Sequence, residues 1–116
     1  MFNLDPQSRI PIYEQIANSI ERYVVLGVLK PMEQIPSIRE LASTLGINPN
    51  TVKKAYEVLE SMGIIVSIST KGSFIAENVE HIIDKRVEKS IMEIKGMIDD
   101  LTKLGISKTD IMKKLK

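Results

Sequence analysis

The side chains with the clearest chemical potential lie in one short run. Asn48, Asn50 and Thr51 are small hydrogen-bonding groups, and Lys53 and Lys54 follow at once. None of them is a nucleophile beside a base. Their chemistry is recognition: amides and hydroxyls suit base edges, and ammonium groups suit phosphate. Asn48-Pro49 reads as an N-cap followed by proline at the first helical position. The amides of such a first turn carry the positive end of the helix dipole and hold anions. Plainer readings stand beside these: a simple helix cap for Asn48-Pro49, a solvated face for Lys53-Lys54, and a surface arginine for Arg39.

The surrounding punctuation predicts what must position that run. Ile12, Ile16, Ile20 and Val24 recur at spacing four behind Pro11, which gives a helix over about 11–26 ending at Gly27. Ser37-Ile38-Arg39-Glu40 matches a capping box opening a short helix over 38–45, closed by Gly46. A third helix over 49–62 buries Val52, Ala55, Tyr56, Leu59 and Met62. Two helices joined by a glycine-containing turn, the second well capped, form a helix-turn-helix, whose second helix enters the major groove of DNA. Lys53 and Lys54 then lie opposite the face of Val52 and Leu59. Residues 64–68 and 73–75 read as a short hairpin with Lys71-Gly72 at its tip, a wing; residues 31–36, bracketed by prolines, read as a loop. Tyr13 and Tyr56 read as core rings with hydroxyls near the surface.

Composition changes at Glu77. From there to Leu104 there is no proline and one glycine. Val87, Ile91, Ile94, Ile98 and Leu101 follow steps of 4, 3, 4 and 3, a heptad seam about two heptads long. Gly105 ends that helix, and Ser107 caps a last short one. A single helix cannot bury such a stripe on itself. The cheapest cover is the same helix of a second copy, across a two-fold interface; packing on the first helix of the same chain is the alternative. The expected division is therefore 1–76 for the winged domain and 77–116 for a helical dimerisation tail.

Composition excludes other classes. The chain of 116 residues has no cysteine and one histidine, His81, so disulfides, thiolate metal sites and histidine clusters are out. No glycine-rich phosphate loop and no nucleophile–base pair occurs, so no enzyme is expected, and no cofactor or metal. No apolar run reaches the ~20 residues of a membrane helix, and the first nine residues lack the features of an export signal. A cytoplasmic protein without membrane contact is the expectation. Net charge is +1, and residues 35–76 carry four basic against three acidic side chains. That is a weak electrostatic footprint for one copy, which two copies would double.

The runs Pro11-Ile12-Tyr13-Glu14-Gln15-Ile16, Gly27-Val28-Leu29, Ile35 to Ala42 and Asn48 to Tyr56, then Leu59-Glu60 and Gly63, resemble the GntR family of bacterial transcription regulators over residues 10–76. The resemblance implies a mostly α fold with a small β-hairpin: a winged helix-turn-helix that binds an inverted-repeat operator as a homodimer, most simply as a repressor. It implies base or phosphate contacts for Arg39, Asn48, Asn50, Thr51 and Lys53, backbone approach at Ser37 and Gly72, and a phosphate contact for Tyr13. Three departures stand out: Pro31-Met32 replaces the usual Pro-Gly, Thr70-Lys71-Gly72-Ser73 keeps one of two wing glycines, and the basic position in the third helix is lysine rather than arginine. The short tail is similar to that of the YtrA subfamily. An unknown small-molecule effector is a candidate partner, with Met92, Met97 and Met112 as an adaptable lining. The competing class is a winged-helix module that binds proteins and lacks specific DNA affinity.

Overall fold

The computed structural model describes residues 2–116. In chain order the elements are α1 (Ile12–Val25), β1 (Gln34–Ile35), α2 (Ile38–Leu45), α3 (Pro49–Ser61), β2 (Ile65–Ile68), β3 (Gly72–Ile75), α4 (Val79–Lys103) and α5 (Lys108–Leu115). A single 3₁₀ turn, Ser69–Lys71, joins β2 to β3. The sheet order is β1-β3-β2, antiparallel throughout.

The helix boundaries follow the local chemistry. Ser37 Oγ accepts from the Glu40 amide at 3.1 Å and Glu40 Oε1 accepts from the Ser37 amide, completing the capping box. Gly46 ends α2 at φ +66°, a left-handed conformation that turns the chain toward α3. Asn48 Oδ1 accepts from the Asn50 amide at 2.8 Å, with Pro49 in the first turn. The α2 and α3 helices both pack on one another, and α1 packs on α3. Ile16 and Ile20 of α1, Leu41 of α2, Val52, Ala55 and Leu59 of α3, and Ile64, Ile65 and Ile75 around the sheet are buried. Each large aliphatic side chain removed from water contributes about 1.5–3 kcal/mol before entropy is charged against it.

The segment expected as a loop carries β1. Gln34 and Ile35 pair with Phe74 and Ser73, so the wing is a three-stranded sheet rather than a free hairpin. Two residues are too few for alternation to announce a strand; only the partner strand makes it one. Upstream, Met32 occupies φ +69°, the conformation glycine would take without cost. The sheet holds it there: the Met32 amide donates to the Ile75 carbonyl at 2.9 Å, and the Ile75 amide to the Glu33 carbonyl at 2.8 Å.

Contacts divide the chain into two compact units, one ending at Ile82 and one beginning at Ile83. The start of α4 belongs with the first unit because Val79 is fully buried there. Within the second unit, Gly105 at φ +95° ends α4, and Ser107 Oγ caps α5 through the Asp110 amide at 3.2 Å. Ile111 of α5 is buried, yet Val87 and Ile94 of α4 remain 55% and 50% exposed.

Met32 is half exposed, so little packing is lost on truncation. Met32→Gly is expected to relieve the left-handed backbone and stabilise the protein by about 0.5–1 kcal/mol, raising Tm by a few degrees in a thermal melt. An unchanged or lower Tm would show that the turn carries no strain.

Candidate nucleic-acid interface

The first turns of α1 and α3 meet at a cleft of about 410 Å³ lined by Ile12, Tyr13, Asn48, Asn50, Thr51 and Lys54. Five of the side chains named from sequence therefore share one surface. The buried face of α3, from Val52 to Leu59, fixes which side of the helix is left to solvent. No acidic residue occupies the first turn of α3, so nothing there opposes an anion at its amides.

Tyr13 and Lys54 are coupled across the cleft. The Lys54 ammonium sits 4.1 Å from the centre of the Tyr13 ring, a cation–π contact that restrains a flexible side chain. The Tyr13 hydroxyl donates to Glu14 Oε1 at 3.2 Å, and that bond raises its pKa above the ordinary 10.0. The phenol thus stays a donor at neutral pH, and its partner here is a carboxylate. Sequence spacing offered no sign of this pairing, because it joins the starts of two helices far apart in the chain.

The other named residues sit around this cleft or on the wing. Lys53 is paired with Glu57 at 4.0 Å, both side chains being well exposed. Such a pair contributes only a few tenths of a kcal/mol and gives way readily to a phosphate. Arg39 is exposed in the first turn of α2, just ahead of the buried Leu41 and Ala42. Among the described residues neither Arg39 nor Lys71 forms an ion pair. The three acids of this region are each engaged: Glu40 in the capping box, Glu57 with Lys53, and Glu60 accepting from the Ser67 hydroxyl. Ser37 Oγ uses an acceptor lone pair in its cap, and its O–H lies outside that bond.

At the wing tip Gly72 adopts φ +117°, and a Cβ there would meet Gln34 Nε2 at 2.8 Å. That amide donates to the Lys71 carbonyl at 2.9 Å. The wing therefore keeps the glycine its backbone needs, and Gln34 of β1 ties the tip down. The missing first glycine is accommodated one residue earlier, where Ser69 takes φ +32°. Gln34 was absent from the residues singled out by sequence; its role depends on β1, which no periodicity revealed.

Tyr56 anchors the platform from below. Its hydroxyl donates to the Pro36 carbonyl at 2.6 Å, linking α3 to the chain that leads into α2. Burial, with a smaller contribution from the Glu40 charge, pushes its pKa well above the ordinary 10.0. Among the described residues no group of three or more His, Cys, Asp or Glu is placed to hold a metal, and no helix is long and apolar enough to cross a membrane.

Because Tyr56 is held protonated in the folded state, the stability it contributes is full below pH 10 and declines as pH rises above that value, where the unfolded phenol ionises. Tyr56→Phe is expected to cost about 1–2 kcal/mol at neutral pH, by leaving the Pro36 carbonyl without this donor. It should also flatten the alkaline loss of stability, checked by denaturant titrations at pH 7 and above pH 10. Equal alkaline slopes in both proteins would rule out this residue as the source.

Comparison with known proteins agrees with this geometry. Residues 12–75 match the family described as bacterial regulatory proteins, gntR family. The chain is 37% identical over 107 residues to the HTH-type transcriptional repressor YtrA of Bacillus subtilis, covering 91% of this chain and 82% of that one. A crystal structure titled transcriptional antiterminator, from Listeria monocytogenes, superposes with a TM-score of 0.72 at 42% identity, over 99% of this chain and 87% of that one. The DNA-binding domain of AraR in complex with an operator superposes with a TM-score of 0.56 at 30% identity, over 64% of this chain and 89% of that one. With its winged helix-turn-helix followed by a helical tail, the chain belongs to the GntR family, on its YtrA-like branch.

Proposed function

We propose that this protein is a sequence-specific DNA-binding repressor that occupies an inverted-repeat operator as a homodimer. The observation that carries the reading is the exposed start of α3, where Asn48, Asn50, Thr51 and Lys54 line one cleft and the first turn of the helix bears no acidic residue. In this reading α3 lies in the major groove. Asn50 and Thr51 face base edges, Arg39 reads a base or phosphate from α2, and Lys53 and Lys54 hold the backbone. Asn48 keeps its capping bond and presents the helix start. Ser37 donates its hydroxyl to the backbone, and Lys71 and Gly72 follow the adjoining groove from the wing. The similar AraR domain is seen with its operator, and the similar YtrA protein is named a repressor, which supports both halves of the proposal.

The dimer is supported by the seam of α4. Val87, Ile91, Ile94 and Leu101 are exposed and Ile98 is half-buried, so the stripe is open to a partner. A two-fold pair presents two α3 helices to two half-sites and doubles the phosphate contacts, which compensates for a net charge of only +1. Of the three methionines considered for an effector, Met112 lines the groove between α4 and α5, while Met92 and Met97 are not among its lining residues.

Fragments selected from random DNA by the purified protein supply the operator. Binding to it is expected to weaken with salt, with a log–log slope of about −0.9 for every phosphate neutralised. Flat binding across salt would favour a protein-interaction module instead. Arg39→Ala is expected to cost about 1–3 kcal/mol and relax base preference at one position of each half-site. An unchanged footprint and unchanged preference would remove Arg39 from the interface. Ile94→Asp places a charge in the seam and should yield monomers in sedimentation, with operator affinity reduced accordingly; a tight dimer from that variant would move the interface elsewhere.

A further inference from the structure

The two adjacent lysines of α3 are held in different ways. Lys53 stands 4.0 Å from Glu57, one turn further along its own helix, and that carboxylate already offsets part of the ammonium's charge. A phosphate that uses Lys53 has to draw it away from Glu57. Lys54 forms no ion pair among the described residues. Its ammonium lies over the ring of Tyr13 instead, 4.1 Å from the centroid. A ring face attracts a cation through its quadrupole without neutralising it. The full charge of Lys54, and the N–H donors turned away from the ring, stay open to an anion.

This hold depends on the fold. Tyr13 stands in the first turn of α1, half-buried beside Ile12 in the wall of the cleft, whereas Lys54 is exposed on α3. The hydroxyl at the far end of the ring is engaged separately, donating to Glu14 Oε1 at 3.2 Å. The phenol therefore uses its face for Lys54 and its O–H for Glu14. A lysine free in solvent must give up its rotamer freedom when a phosphate fixes it, and one already stationed over a ring gives up less. Asn50 and Thr51 line the same cleft, so the stationed ammonium stands beside the groups that face the base edges in the reading above.

We propose that Tyr13 is a positioning residue for operator binding: its ring, rather than its hydroxyl, stations Lys54 at the cleft between α1 and α3, ready for a phosphate of the DNA backbone. The inference rests on the DNA-binding reading above. It goes beyond that reading by giving the two lysines unequal parts and Tyr13 an indirect one. The phosphate contact that the family resemblance implies for Tyr13 passes to Lys54.

Operator affinity and its salt slope are measured on full-length variants. Tyr13→Leu is expected to weaken binding about fivefold. Tyr13→Phe, which keeps the ring, should bind as the unaltered protein does. Lys54→Met should weaken binding and lower the log–log salt slope by about 0.9, the value of one phosphate. Tyr13→Leu added to Lys54→Met should change nothing further, because no ammonium is left to station. Lys53→Met should cost less than Lys54→Met. A Tyr13→Phe protein as weak as Tyr13→Leu would make the hydroxyl the contact, and losses that multiply in the double variant would make the two residues independent; either result overturns the proposal. The free protein gives a readout without DNA. The outer methylene NMR signals of Lys54 should be moved upfield by the ring, should stay so in Tyr13→Phe, and should return to ordinary lysine positions in Tyr13→Leu. Ordinary positions in the unaltered protein overturn the stationing directly. Displaced signals in a protein that binds no selected operator would overturn the DNA-binding reading, and the proposal with it, while leaving the contact itself intact.

Discussion

Burial of one face of α3 is the constraint from which the rest follows. Val52, Ala55, Tyr56 and Leu59 are withdrawn from water against α1, α2 and the sheet. A helix so held has no freedom to rotate about its axis. Its opposite face, with Asn50, Lys53 and Lys54, is therefore presented to solvent as a fixed pattern. Phosphate and base recognition needs such a rigid support, since a displaced donor loses its bond while retaining its desolvation cost. The buried groups here are apolar, so the platform depends on close packing rather than on internal charge.

Around this platform, polar contacts set the finer geometry. Tyr56 reaches the Pro36 carbonyl and so couples α3 to the entry of α2, which bears Ser37 and Arg39. Gln34 reaches the Lys71 carbonyl and couples β1 to the wing tip. Ser67 donates to Glu60, joining β2 to the end of α3. At the chain's start, the Gln15 amide bonds the carbonyls of Asp5 and Ile10 and accepts from the Asp5 amide, fastening residues 5–10 onto α1 beside Tyr13. Each bond ties an element that carries candidate contacts to the structure beside it.

The tail obeys a different logic. Its apolar residues form a stripe rather than a closed core, and α5 covers only part of it through Ile111. The exposed remainder is a surface whose hydrophobic cost is removed by association. The weak charge balance of the winged unit and the open seam of the tail are both consistent with the homodimer proposed above.

The amino-acid sequence by itself determined the local features. Caps at Ser37, Asn48 and Ser107, glycine stops at Gly46 and Gly105, and the three- and four-residue spacing of Ile12 to Val24 act within a few residues of themselves. They define the helices almost to the residue, and they place the Asn48 run at the start of α3. Only the tertiary structure decided what depends on residues distant in the chain. The strand β1 exists because β3 pairs with it, Met32 takes its left-handed backbone because Ile75 bonds to the turn, and Lys54 is restrained because Tyr13 lies beneath it. Periodicity and capping are short-range effects carried by backbone geometry, whereas pairing, strain and side-chain contact are set by neighbours that the fold alone brings together.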